Sequence, residues 1–492
     1  MRQLSTLDLS HECRLRVLTN QTFLAFSNTT LQYLWLSECK HLVVLDVCAF
    51  CPLKLLTSLQ FSSTDSRVMD VSTALRSAYG FQHCNNLSVI NLEGFSRHPR
   101  RVVRLDRHSM QFMANTCVRS LRLAGNHIIS VDRDGLGRRG SRFCECIQHL
   151  DVSRNNIKFA NMFTVTQFLA FSPRLESVHC ELQRVFTLEE AIYSLGNNKN
   201  VNHYRTLPDH VTFKVSPALS FLNFSGSGLI FGSFPDNFAI ENADNLRTLD
   251  LSYIGLSQCT TKFQGLDHLE ILSLSGSNCR ITSDYFFDAF PRLRTLAIQK
   301  MNFDKSVFMA QGSRLFANLT HLEIFDLSGN DLGRLPSDLL HAQSELRQLL
   351  LPGNRLSRLS LDVRHHSNLT LLDLSDNDIA QLTARERASL EALVAKQPEP
   401  FHLRLHGNPL VCTCTTLSFV RWLHSTRIRL VCVNYFWLYI YIWYVLIISG
   451  CTFPLVCVNY FWLYIYIWYV FIICGCTFPL VCVNYFWLYI YA

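Results

Sequence analysis

The fold class this sequence predicts is α/β: a solenoid of short stacked coils, curved like a horseshoe, with a parallel sheet on its concave side. Three observations predict it. Apolar residues recur in a fixed spacing, seen best at Leu369, Leu372, Leu374 and Ile379. That spacing returns every 23–29 residues through most of the chain, a period unrelated to the 3.6-residue turn of a packed helix. In the clearest copies an asparagine stands at a constant offset, at Asn126, Asn155, Asn330, Asn354 and Asn377.

The segment Leu369-Thr-Leu-Leu-Asp-Leu-Ser-Asp-Asn-Asp-Ile379 reads LxxLxLxxNxI, the strand part of a leucine-rich repeat. Its leucines turn into a core. Its asparagine can satisfy backbone groups of its own and the neighbouring coil that burial would otherwise leave without partners. One coil cannot cover its own apolar face, so the pattern has meaning only in series. Copies open at Leu346 and Leu322, then at Leu293, Leu269, Leu246 and Leu219. Further back they open at Leu175, Ile147, Val118, Leu87, Leu56, Leu31 and Leu4.

The repeats are assigned to residues 1–400, with insertions near 95–117 and 183–217. The chain enters a repeat strand at Leu4 with no secretory leader or cap before it, so it is expected to be an N-terminally truncated fragment. The 95–117 insertion and the run Arg133–Arg142 are basic and one coil apart. A polyanion such as nucleic acid is one partner such runs would suit, but without interleaved aromatics a solvated convex loop is the preferred reading. In the second insertion, a helix is expected near Leu188–Leu195 and an exposed loop at Asn197–His203.

The concave strands after Leu219 are expected to present Ser273, Thr295, Ala297, Gln348, Leu350 and Asp373, a mixed face with no convergent charge. No catalytic constellation, phosphate loop or complete metal set is present, so no enzyme and no cofactor are expected. His365 and His366 lack a ligating partner at metal spacing, and Cys144-Glu-Cys146 is half a site without its other half. Of the 19 cysteines, those at inward or turn positions such as Cys39 and Cys180 read as small buried thiols. N-x-S/T sequons at Asn20, Asn28, Asn86, Asn223, Asn318 and Asn368 are candidate glycosylation sites if the chain is secreted.

Beyond the last strand, His406-Gly-Asn-Pro-Leu-Val-Cys-Thr-Cys414, which contains Asn408, runs into Leu417-Ser-Phe-Val-Arg-Trp-Leu423. GNPLxCxC followed by LxFxxWL resembles the C-terminal cysteine-rich cap of extracellular leucine-rich-repeat proteins, here a partial cap over 401–430. The resemblance implies that Phe419, Trp422 and Leu423 lid the last coil, and that Cys412 and Cys414 each form a disulfide with a later cysteine. Irregular early coils, regular later coils and this cap together resemble a Toll-like receptor ectodomain. That family implies a membrane receptor of innate immunity with its repeats outside the cell or in the endosomal lumen. It also implies a microbial or danger-associated ligand, and a receptor dimer. Adhesion or guidance receptors and secreted repeat binders share the cap and stand as the alternative. The family's signalling domain is absent from the sequence.

From 431 to 492 there is no charged residue, and Val-Cys-Val-Asn-Tyr-Phe-Trp-Leu-Tyr-Ile begins again at Val456 and Val481, a period of 25. Each unit has nearly enough apolar residues to span a bilayer. Arg421, Arg427 and Arg429 would then place the cap on the cytoplasmic side, against a luminal ectodomain. A tandem DNA repeat translated in frame is the preferred reading over a membrane anchor. Under it, Cys432 and Cys451 are accidental partners for Cys412 and Cys414.

Overall fold

The computed structural model describes residues 3–430 except 11–12, 65, 67, 78–85, 97–102, 133, 158–167, 184–209, 227–236, 255–257, 260–261, 278–279, 282–284, 302–304, 398 and 412–415. The apolar tail, the pair Cys412 and Cys414, the segment Leu188–Leu195 and the loop Asn197–His203 lie outside the described residues.

One parallel sheet of 16 strands organises the molecule, its strands following one another in chain order from Thr6–Asp8 to Arg429–Leu430. The central residue of each strand points inward and pairs in register with the central residue of the next. Leu7 stands opposite Leu34, Leu272 opposite Leu296 and Leu403 opposite Leu430. Because alternate residues of a strand point to opposite faces, the two flanking residues line the concave surface. Beneath the sheet a single apolar core runs from Cys13 to Ile428. It widens on the far side into chains of phenylalanines. Phe23 stacks on Phe50 at 5.9 Å and Phe50 meets Phe61 edge-on, while Phe316 meets Phe325 at 4.9 Å.

Every described coil turns sharply two residues after its last inward apolar position. Among the described residues ten non-glycines have positive φ, with Arg154, Leu182, Tyr253 and Lys300 in these turns, and glycines take the same place elsewhere. At Gly276 (φ 65°) a side chain would be strained and would also displace the Tyr253 ring of the preceding coil, so glycine is favoured there.

The 95–117 insertion carries the strand Val103–Leu105, which pairs with Ile128–Val131 of the next coil. That pairing brings the two basic runs onto one flank, where Arg104, Arg107, Arg138, Arg139 and Arg142 are exposed. The Arg139 guanidinium lies 5.3 Å from the centre of the Phe171 ring.

One cysteine expectation is overturned. Cys39 is no free thiol: it is bonded to Cys13, one coil away. Cys146, for which the sequence offers no completed metal set, is bonded to Cys117, again across adjacent coils. Successive coils place the same turn position side by side, so cysteines separated by one coil length meet. Cys48 and Cys51 form a third bridge, while Cys144 and Cys180 are free and buried. Burial raises both of these thiols, most strongly Cys180, and leaves them unreactive.

Candidate functional site

The turn asparagines, buried inside the column except for half-buried Asn408, join the coils. Asn354 Oδ1 accepts from the backbone N–H of Asn330 (3.0 Å) and Leu332 (3.1 Å). Its Nδ2 donates back to the carbonyls of Leu327 (3.0 Å) and Leu351 (2.9 Å). Asn377 and Asn408 repeat the arrangement, accepting from Leu356 and Ile379 and donating to Leu351 and Leu374 respectively. Asn330 accepts from Met301 N–H, and further forward Asn155 accepts from Asn126 and Ile128, while Asn126 accepts from Ser96. Gln183, which the spacing did not single out, continues the series. Its Oε1 accepts from Ile157 N–H at 3.0 Å and its Nε2 donates to the carbonyls of Val152 and Cys180.

At the far end the helix Leu417–Ser425 lies over the last coil. Phe419 is buried and stacks on Trp422 at 6.1 Å, and Leu423 packs against the core from a half-buried position. Trp422 Nε1 and Thr426 Oγ1 both donate to Glu391 Oε1 at 2.6 Å, tying this helix to Ala384–Val394. The Arg429–Leu430 strand then adds the last rung of the sheet.

The concave surface differs along its length. From Ile271–Ser273 to Leu371–Asp373 it is nearly neutral, with Ile271 exposed and Thr295, Ala297, Ile324, Gln348 and Leu350 half-exposed. Asp373 is not presented outward on the concave face as the sequence predicts. It is buried, its Oδ1 accepting from the Ser375 N–H (3.0 Å) and hydroxyl (2.6 Å) and its Oδ2 from Arg404 (3.0 Å). Asp151, Asp250 and Asp326 likewise accept the backbone N–H two residues on, so an aspartate ending a strand closes its turn.

Convergent titratable groups lie instead between the strands Ser120–Arg122 and Phe221–Asn223. His149 Nδ1 is 2.9 Å from Ser177 Oγ on the next strand. The His179 ring packs on Phe221 with centroids 4.7 Å apart, and its Nδ1 lies 3.6 Å from Glu181 Oε1. The Glu181 carboxylate beside it raises the His179 imidazole above its ordinary value, outweighing the opposing effect of burial. Burial alone would raise Glu181, but His179 and the backbone bring it below the usual carboxylate range. Glu181 Oε2 is buried and makes no hydrogen bond among the described residues. Exposed Arg122 and half-buried Asp151 complete the patch, and Arg154 reaches back two coils to pair with Glu93. The positions flanking each central strand residue are visible in the sequence, but the pairing of Ser177–His179 with Phe221–Asn223 across the insertion, which groups these side chains, is not.

Asn20, Asn28, Asn86, Asn318 and Asn368 are exposed. Asn223 is half-buried on a concave strand, with its Oδ1 accepting from Ser225 N–H at 2.8 Å. Among the described residues no group of three or more His, Cys, Asp or Glu could hold a metal, and no helix is long and apolar enough to cross a membrane.

A family model described as Leucine Rich Repeat matches residues 321–342. The chain is similar to the CD180 antigen of Mus musculus, 30% identical over 186 residues that make up 37% of this chain and 27% of that protein. It is also similar to Toll-like receptor 4 of Bos taurus, 22% identical over 397 residues, 73% of this chain and 44% of that protein. Among solved structures, a leucine-rich-repeat protein of Leptospira interrogans aligns with a TM-score of 0.45 at 18% identity, covering 81% of this chain and 90% of that one. The matched part thus spans less than half of each curated relative.

Proposed function

We propose that this leucine-rich-repeat chain, which resembles the Toll-like receptors and CD180, is the ligand-binding ectodomain of a Toll-like pattern-recognition receptor in innate immunity. It binds and does not catalyse. The observation that carries the reading is a single sheet of 16 strands, closed at one end by the Trp422 helix, in a chain whose similarity to Toll-like receptor 4 extends over 397 residues. Disulfides between adjacent coils fit a chain that folds in an oxidising compartment, the outside of the cell or the endosomal lumen. The exposed sequons fit the same place and are proposed to carry glycans. The intact receptor is membrane-held and dimeric in this reading.

The ligand is placed on the concave patch of Arg122, His149, His179 and Phe221, where charge and one aromatic face converge without being consumed by a turn. The purified chain, presented with microbial lipids, cell-wall glycans, proteins and nucleic acids in a surface-plasmon assay, is expected to bind one class saturably. His179→Ala and Phe221→Ala are each expected to weaken that binding at least tenfold, as truncation at the centre of an interface does. Saturable binding that neither variant alters would displace the site. Binding to cell-surface proteins with none to microbial products would favour the adhesion-receptor alternative.

A further inference from the structure

The three bridges of the described residues are of two kinds. Cys13–Cys39 and Cys117–Cys146 join neighbouring coils, with sequence separations of 26 and 29. Cys48–Cys51 lies within a single turn, with a separation of 3 and its Cα atoms 5.0 Å apart. Between its cysteines sit Ala49 and Phe50, both fully buried, and Leu53 is buried just beyond. Both cysteines are half-exposed and Val47 beside them is exposed, so a small thiol can reach the sulfurs.

The turn does not depend on the bridge. Ala49 N–H donates to the Asp46 carbonyl (3.1 Å), Cys51 N–H to Cys48 (3.1 Å) and Leu53 N–H to Phe50 (3.0 Å). Phe50 is packed between Phe23 and Phe61. Opening this bridge leaves the packing and the backbone bonds in place, and they hold the two thiols within reach of each other for closure. Opening either inter-coil bridge frees a loop many times longer, so those bridges constrain the unfolded chain more and resist reduction more strongly.

We propose that Cys48 and Cys51 form a reversible thiol–disulfide exchange site whose partner is a dithiol, while the two inter-coil bridges remain structural. A dithiol thiolate attacks Sγ of Cys48 or Cys51, the Cys48–Cys51 bond breaks, and the leaving thiolate takes up a proton. The second thiol of the partner then attacks the mixed disulfide. The partner leaves oxidised, and Cys48 and Cys51 are both left as thiols, two electrons and two protons having passed to the chain. This site stands independently of what ligand the concave face binds.

The test uses the full chain under native conditions with dithiothreitol as the dithiol. Free thiols are trapped with one alkylating reagent, the remainder with another after denaturation, and each cysteine is read by peptide mass spectrometry. Cys48 and Cys51 are expected to label at a dithiothreitol concentration at least tenfold below that needed for Cys13, Cys39, Cys117 and Cys146. Far-ultraviolet circular dichroism is expected to stay unchanged, and oxidised glutathione is expected to restore the bridge. In Cys48→Ala/Cys51→Ala the low-concentration labelling disappears, and the melting temperature stays within about 3 °C of the parent. Simultaneous opening of all three bridges, or opening of Cys48–Cys51 last, overturns the proposal. Those outcomes are read on the parent chain and hold whether or not the double variant folds.

Discussion

The coils of Asn330, Asn354, Asn377 and Asn408 and the coils of Ile254, Ser277 and Met301 solve the same problem in opposite ways. In the first group the turn position holds an amide, buried in all but half-buried Asn408, that bonds backbone groups of two coils. In the second it holds a buried apolar chain at Ile254 and Met301, or the short hydroxyl of Ser277, which reaches the Leu251 carbonyl at 3.3 Å. Both fill the column. The amide adds direction, because its donors and acceptors are met in one register only, whereas a methionine tolerates shifts of its neighbours. Buried hydrogen bonds give modest net stabilisation when made and cost much more when one partner is removed. The amide coils therefore have the sharper response to substitution.

The largest effect is expected there. Asn354→Ala leaves the buried N–H groups of Asn330 and Leu332 without an acceptor, while the Leu327 and Leu351 carbonyls keep the amides of Asn330 and Asn377, and is expected to cost about 4 kcal/mol. Met301→Ala removes only packing and is expected to cost about 3 kcal/mol. Urea denaturation compares the two, and a smaller loss for Asn354→Ala than for Met301→Ala would break the comparison. Next comes the cap. Trp422→Ala removes a half-buried ring and its bond to Glu391, for about 2 kcal/mol, and is expected to loosen the last coils first, visible as new proteolytic cuts after Leu382. Cuts distributed evenly along the chain would show that the helix covers nothing.

Two histidines sharpen the comparison further, because their signs differ. The His179 value is raised, so its share of stability is complete below about pH 6.5 and is lost as pH rises through the raised value. The lowered Glu181 contributes above about pH 4.5 and loses its share as pH falls through the lowered value, so the pair is strongest between. Buried His366 is lowered chiefly by burial, with its Nδ1 3.1 Å from the Gln343 carbonyl, so its coil loses stability as pH falls below about 6.5. Limited proteolysis at pH 7.5 and 5.5 is expected to show cleavage rising near His366 and not near His179; the reverse pattern would contradict these assignments.

The smallest effect belongs to the surface. Residues just before successive strands alternate in sign, Arg247 pairing with Glu270 at 3.3 Å and Glu323 lying 2.5 Å from Arg294 and 3.3 Å from Arg347. The arginines are more than half exposed around Glu323, so Glu323→Gln is expected to cost under about 1 kcal/mol and less in 0.5 M salt. A salt-independent loss would mean that Glu323 acts through packing.

The column was legible in the sequence because leucine spacing and coil length are the same physical quantity. The asparagines were legible for the same reason. Gln183 escaped because its amide is one methylene further out and the pattern asks for Asn, although it makes the same bonds. The Cys13–Cys39 bridge escaped because each cysteine was weighed alone, when their separation of 26 was already one coil. The His149, His179 and Phe221 patch depends on which strands adjoin across an insertion. Ser177 and Phe221 are 44 residues apart in sequence and directly opposite in the sheet, a pairing that no local pattern announces.

Hydrogen exchange measured residue by residue on the native chain tests most directly whether buried amides join the coils into one column. The N–H groups of Leu332 and Leu356, which lie outside every strand and donate to Asn354 and Asn377, are expected to be as strongly protected as the strand N–H of Leu349. Exchange at those two positions as fast as in an exposed turn would contradict the account.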